Sequence, residues 1–295
     1  MLRRCVVVFS PGALDPEVTS PTTSRPFPSL DEIADGGTNG VLLWCHPKHS
    51  SNGELSPGPR APSELERVAQ VLGKWERGAI KVTGERVALR DEYKGCPSHL
   101  VTTSEEVSKV FREIFDNNSE VLPLPSGSDN AEEAWAGAVG ASVSRAFGSD
   151  ADFVLVHLGA ASGAGGCDVL DLAVRELRRT CVDERTLLVV LAGDGEGARG
   201  GVGAREGAGS SSTAEFPFFS PRQSCEFHAG KAADVCDSGL ALSVVYSPVN
   251  HVRRDDVGSF SAFEARRSGG SGAILALHLL KGAMFSISRA PKYGS

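Results

Sequence analysis

Short continuous apolar runs alternate with stretches of helical periodicity along most of the chain. Cys5–Phe9, Gly40–Trp44, Leu100–Thr102, Val121–Leu124, Phe153–Leu158, Thr186–Leu191 and Leu240–Tyr246 read as strands. Most of them lack the polar alternation of a half-exposed strand, so they are expected to be covered on both faces, as strands of a parallel sheet are. Helices fall between them. Ser29-Leu-Asp-Glu32 and Ser63-Glu-Leu-Glu66 have capping-box form, the first helix ending at Gly36-Gly37 and the second at Gly73. Leu65, Val68, Ala69 and Leu72 share one face of the second helix. Helical spacing recurs at Val107, Val110, Phe111, Ile114 and Phe115, over Ala131–Phe147, and at Val169, Ala173 and Leu177. Ala273–Leu280 reads as an apolar helix, and Arg253–Asp256 as a self-paired surface turn. The alternation predicts an α/β fold, a largely parallel sheet with helices on both faces, in a single domain over residues 1–295.

Composition sharpens this picture in a few places. Of 295 residues, 41% are hydrophobic and 23% charged, a globular balance that excludes a disordered chain. Thirty Lys and Arg against 37 Asp and Glu leave a net charge of −7, which gives nucleic acid no electrostatic footprint. Seven scattered cysteines without a CxxC pair argue against a disulfide framework or a zinc knuckle, fit a reducing compartment and suggest a cytoplasmic protein. No apolar run approaches the ~18 residues of a membrane span, and Met1–Phe9 is too short for a signal segment. His46–Pro62 is a polar loop. Gly193–Gly209 holds eight glycines and runs into Ser210–Ser212, so a flexible loop is expected over 193–212.

Parallel sheets place their sites at the carboxyl ends of strands. The candidate turns are Ser10–Asp15, Gly159–Gly166 and Ala192–Glu196. Gly165-Gly166 is followed by Cys167-Asp168 rather than Gly-Lys-Ser/Thr, and no GxGxxG starts at Gly163, so a nucleotide loop is not expected. Ser63 is either a helix cap or a nucleophile, and Asp194 either a turn residue or a metal ligand. His157, inside an apolar strand, reads as a core histidine with a satisfied hydrogen bond. His46 and His49 read as residues of a solvated loop. Cys167 at a helix start is either an activated thiol or a buried, inert one.

The order of these pieces resembles the cofactor-independent phosphoglycerate mutases of the alkaline phosphatase-like superfamily. Pro28–Leu42 is similar to the family's "TPNLDxLAxxGxxGLL" segment, and Pro62–Gly73 to the segment whose serine accepts the phosphoryl group. Asp152–Cys181 resembles the "DFVxVxxxxxDxxGH" strand and helix, and Leu187–Gly195 the "VVLTxDH" strand. Ser247-Pro-Val249, Phe263-Glu264 and the run to Leu280 resemble the closing segments.

The resemblance implies two divalent metals, manganese or zinc, clamped by carboxylates and histidines around the nucleophile Ser63. At the paired positions Ser63 and Asp194 are retained. Pro11, Ser162, Gly166, Gly195 and Val244 stand where the family has ligands, with Asp15 four residues beyond Pro11. Glycine, valine and proline side chains cannot coordinate a metal. The expectation is therefore a relative without catalysis and without a metal cofactor, which binds a protein or a small phosphorylated ligand. The alternative is a metal-dependent mutase or phosphatase that uses Ser63 and rebuilds its site from Asp15, His157, Asp168, Glu196 or His251.

Overall fold

The computed structural model describes residues 1–14, 26–45, 62–76, 79–81, 88–123, 129–159, 166–194, 227–228, 231–232, 235–249, 252 and 254–291. In chain order the main elements begin with β1 (Arg4–Leu14), α1 (Pro28–Gly36), β2 (Thr38–Cys45) and α2 (Glu64–Val71). A small hairpin of β3 (Trp75–Glu76) and β4 (Ala79–Ile80) follows, then α3 (Leu89–Glu92), β5 (Ser98–Thr102), α4 (Glu105–Phe111) and β6 (Ser119–Val121). Next come α5 (Asp129–Gly148), β7 (Phe153–His157), α6 (Gly166–Thr180) and β8 (Thr186–Asp194). The chain continues through a second hairpin, β9 (Phe227–His228) and β10 (Lys231–Ala232), to β11 (Val235–Tyr246), α7 (Ala262–Ser268), β12 (Gly272–Leu275) and α8 (Leu279–Ser286).

Eight strands form one sheet in the order β12-β2-β11-β8-β1-β7-β5-β6. All neighbours pair parallel except β11, which runs antiparallel to both β2 and β8. Side chains of β1 alternate between the two faces. Cys5, Val7 and Phe9 join a core roofed by α2, α4 and α8, while Val6 and Val8 join a second core under α1, α5 and α6. Both faces are dry, which is why these strands read as unbroken apolar runs. Each such buried Val or Phe contributes about 1.5–3 kcal/mol.

Three local expectations are corrected. Ser29 is not the cap of α1, whose N-cap is Phe27. The N–H groups of Ser29 and Leu30 instead donate to Asp171 Oδ1, both at 2.9 Å, so the cap arrives from α6, remote in sequence. The apolar run from Ala273 is no single helix: Gly272–Leu275 is a strand paired with β2, followed by a 3-10 turn and then α8. A short apolar run covered on both sides has no period that separates strand from helix. Nor do Arg254 and Asp255 of the charged turn pair with each other: Arg254 bonds Asp35, the Asp255 carboxylate accepts from the backbone N–H of Asn39 and of Gly270, and Arg253 lies outside the described residues.

No helix among the described residues is long and apolar enough to cross a membrane.

Candidate functional site

The carboxyl ends of β1, β7 and β5 lie side by side, joined by bonds from Leu158 N–H to the Phe9 carbonyl and from Thr103 N–H to the His157 carbonyl. The start of α2 sits over them. Ser63 is its N-cap: Ser63 Oγ accepts from Glu66 N–H at 3.4 Å, and Ser63 N–H donates to Glu66 Oε2 at 2.7 Å. This is the capping box the sequence announces. Gly73 ends the helix with φ +67°, a conformation that favours glycine.

Beyond the cap, α2 presents a polar stripe at intervals of three residues, and each member reaches a different strand end. Glu64 Oε1 lies 3.2 Å from His157 Nε2 on β7. Arg67, 2% exposed, donates from one terminal nitrogen to the Pro11 carbonyl of β1 at 3.3 Å, its guanidinium 5.7 Å from the Trp44 ring. Gln70, fully buried, accepts from Cys45 N–H at 2.7 Å and donates to the Cys45 carbonyl at 2.9 Å, completing the end of β2 as a strand would.

His157 is fully buried, and its Nδ1 lies 3.0 Å from Thr102 Oγ1. That hydroxyl also accepts from Ser104 N–H, and since a carboxylate can only accept, the tautomer that suits Glu64 carries its proton on Nε2 and leaves Nδ1 as an acceptor for the Thr102 hydroxyl. Interaction with His157 and the positive charge of Arg67 hold the Glu64 carboxyl below the ordinary carboxylate range, against the opposing effect of burial. His157 is thus a core histidine, as its apolar strand suggested, but its hydrogen bond is made through Nδ1 alone, and Nε2 faces Glu64 at ion-pair distance without a hydrogen bond.

The positions that the resemblance pairs with metal ligands fare differently. Within β1, Pro11 offers a backbone carbonyl, already engaged by Arg67. The strand does not stop there but runs on to Leu14, which pairs with Asp194 of β8. Gly166 opens α6 directly against this extension, so a Cβ there would lie 2.8 Å from the Gly12 carbonyl oxygen and 3.0 Å from the Ala13 Cα. Cys167 Sγ donates to the Ala13 carbonyl at 2.6 Å and is buried, as the second of the two readings open for it expects. Val244 is fully buried in the core beneath α1 and α6.

The backbone of Asp194 ends β8, while Asp15, Ser162, Gly195, Glu196 and His251 lie outside the described residues, as do His46, His49 and most of 193–212. Asp168 is in the first turn of α6. Pro11, Gly166 and Val244 carry no side-chain donor, and among the described residues no three His, Cys, Asp or Glu side chains gather to hold a metal. The described part of the site does not fit a two-metal clamp.

A cleft of about 440 Å³ at the opposite edge of the sheet is lined by Arg4, Phe147, Arg179, Cys181 and Asp183 among others. It lies at the carboxyl ends of α5 and α6, where arginines complement the helix dipoles, and Arg4 stacks on Phe147 at 4.9 Å.

No protein-family model matches the sequence, and no curated protein matches it. Solved structures do. The PH0037 protein of Pyrococcus horikoshii superposes with a TM-score of 0.58 at 14% identity, covering 100% of each chain. The cofactor-independent phosphoglycerate mutase of Thermoplasma acidophilum gives 0.52 at 11% identity, over 97% of this chain and 100% of the other. A protein in the alkaline phosphatase superfamily from Vibrio parahaemolyticus gives 0.50 at 10% identity, over 98% of this chain and 67% of that one. The fold is alkaline phosphatase-like. Within that alkaline phosphatase-like frame Ser63 begins a helix at the carboxyl edge of the sheet, as the sequence resemblance implied. Arg67, Gln70 and Thr102 were not singled out by the sequence. The signal available was the three-residue spacing of Glu64, Arg67 and Gln70 on the face opposite the apolar stripe, which by composition alone reads as solvated.

Proposed function

We propose that this chain is a catalytically inactive relative of the cofactor-independent phosphoglycerate mutases that acts by binding, its ligand a protein or a small phosphorylated molecule, and that it works in the cytoplasm. The observation that carries the reading is the contact between Gly166 and the β1 extension. Backbone of Gly12 and Ala13 occupies the space into which a ligand side chain at position 166 would project. Pro11 and Val244 add no donor, and the Pro11 carbonyl is taken by a guanidinium. Without a metal nothing activates the Ser63 hydroxyl, which serves the helix as its cap.

The reading is tested by assaying phosphoglycerates and a generic phosphate monoester with the protein supplied with manganese, beside equilibrium binding of the same compounds in a chelator. No turnover together with chelator-insensitive binding is expected if the ligand is a phosphorylated molecule. No turnover and no binding directs the search to a protein ligand. Manganese-dependent turnover that vanishes in Ser63→Ala would establish the alternative, a metal-dependent mutase or phosphatase.

A further inference from the structure

We propose that the polar stripe Glu64–Arg67–Gln70 is a metal-free clasp, in which Arg67 is the fixed cation that joins the carboxyl end of β1 to the helix that begins at Ser63. The inference rests on the reading above and adds to it the device that keeps this end of the sheet together without ions. The three residues are spaced to lie on one side of α2, and each engages a different strand: β7 through His157, β1 through Pro11 and β2 through Cys45.

A stripe of this composition would ordinarily face water. Here Arg67 and Gln70 are 2% and 0% exposed. A buried guanidinium persists only where compensation is at hand. The structure supplies it from the Pro11 carbonyl and the face of Trp44, and the Glu64 carboxylate begins the same stripe one turn back on the helix. Glu64 in turn lies 3.2 Å from His157 Nε2, and His157 Nδ1 lies 3.0 Å from the Thr102 hydroxyl. The clasp therefore spans α2 and the ends of β1, β2, β5 and β7, which β8 and β11 separate into two groups within the sheet. β2 does not pair with β1 directly, and the ladder links the two groups only through β11 and β8.

The test is thermal unfolding of the whole chain as wild type, Arg67→Gln, Glu64→Gln, the double variant and Arg67→Lys, each in chelator and in excess manganese. The wild type is expected to unfold at the same temperature in both. Each single Gln variant is expected to unfold at a lower temperature, and the double variant to lose less than the sum of the two, because the charges compensate one another. Arg67→Lys keeps the charge without the planar fork and should recover part of the loss, which also serves if Arg67→Gln does not fold. In Arg67→Gln the amide hydrogen of Leu158, bonded to the Phe9 carbonyl two residues before Pro11, should exchange faster than in the wild type. Additive losses, or an Arg67→Gln that unfolds like wild type, would overturn the clasp while leaving the metal-free reading in place. A manganese-dependent rise of the wild-type unfolding temperature would overturn the metal-free reading beneath it.

Discussion

Arg67 reaches from the middle of α2 to the carbonyl of Pro11, 3.3 Å away, and brings a buried positive charge to the last third of the first strand. The resemblance expects an anionic metal ligand at that place. A carbonyl facing a guanidinium and a carboxylate facing a metal ion are different solutions to holding the carboxyl edge of this sheet, and they require different chemistry around them.

The tightness of the Gly166 contact makes a direct prediction. A methyl group at that position meets backbone atoms of Gly12 and Ala13, neither of which can swing aside as a side-chain tip would. Gly166→Ala should therefore destabilise the protein, on the order of 1–3 kcal/mol as overpacking of a filled site does. Urea unfolding measures it, and an unchanged midpoint would mean that the β1 extension is not seated against α6.

Ser63 is expected to behave as a cap. Ser63→Ala should cost about 0.5–2 kcal/mol, whereas Ser63→Gly should cost only a few tenths beside wild type. Denaturant midpoints of the two variants separate this from a serine with no part in folding, for which both substitutions would leave the midpoint in place.

Acid should act on Glu64 in a defined direction. Its carboxyl is held below the ordinary range in the folded state, by His157 foremost and by Arg67. The stability it contributes is thus fully present above the ordinary carboxylate pKa, and is lost as pH falls through the lowered folded value. Unfolding temperatures recorded from neutral pH down through the carboxylate range should fall less steeply for Glu64→Gln than for wild type. Parallel profiles would contradict the pairing of Glu64 with His157.

Asp171 gives a prediction of another kind, because it caps a helix to which it does not belong. Its Oδ1 accepts both first-turn N–H groups of α1, and burial pushes its carboxyl up. Asp171→Ala would strand those two donors and should cost about 1–3 kcal/mol for the groups left unsatisfied. Asp171→Asn keeps an acceptor oxygen and should cost less. Equal losses for the two would show that the cap has no energetic weight.

The strands that carry the site were legible because the runs Cys5–Phe9 and Phe153–Leu158 are short and rich in valine and phenylalanine, which favours a strand where periodicity does not separate it from a helix. Ser63 was legible because a capping box is local, contained within Ser63–Glu66. What escaped was non-local. The cap of α1 comes from Asp171, well over a hundred residues away, so the serine at position 29 only mimics a cap signal. Gly272–Leu275 joins β2 by pairing that no periodicity encodes. Arg67 and Gln70 look solvated in sequence because their compensation is supplied by Pro11, Trp44 and Cys45, which come together only in the folded sheet.

Calorimetric titration of metal-stripped protein with manganese and then zinc asks most directly whether the carboxyl-edge site works without metal. No saturable heat is expected for either ion up to millimolar concentration. Two tight sites per chain would contradict the metal-free reading, and would mean that residues such as Asp15, Asp168 or Glu196 rebuild a metal centre beside Ser63.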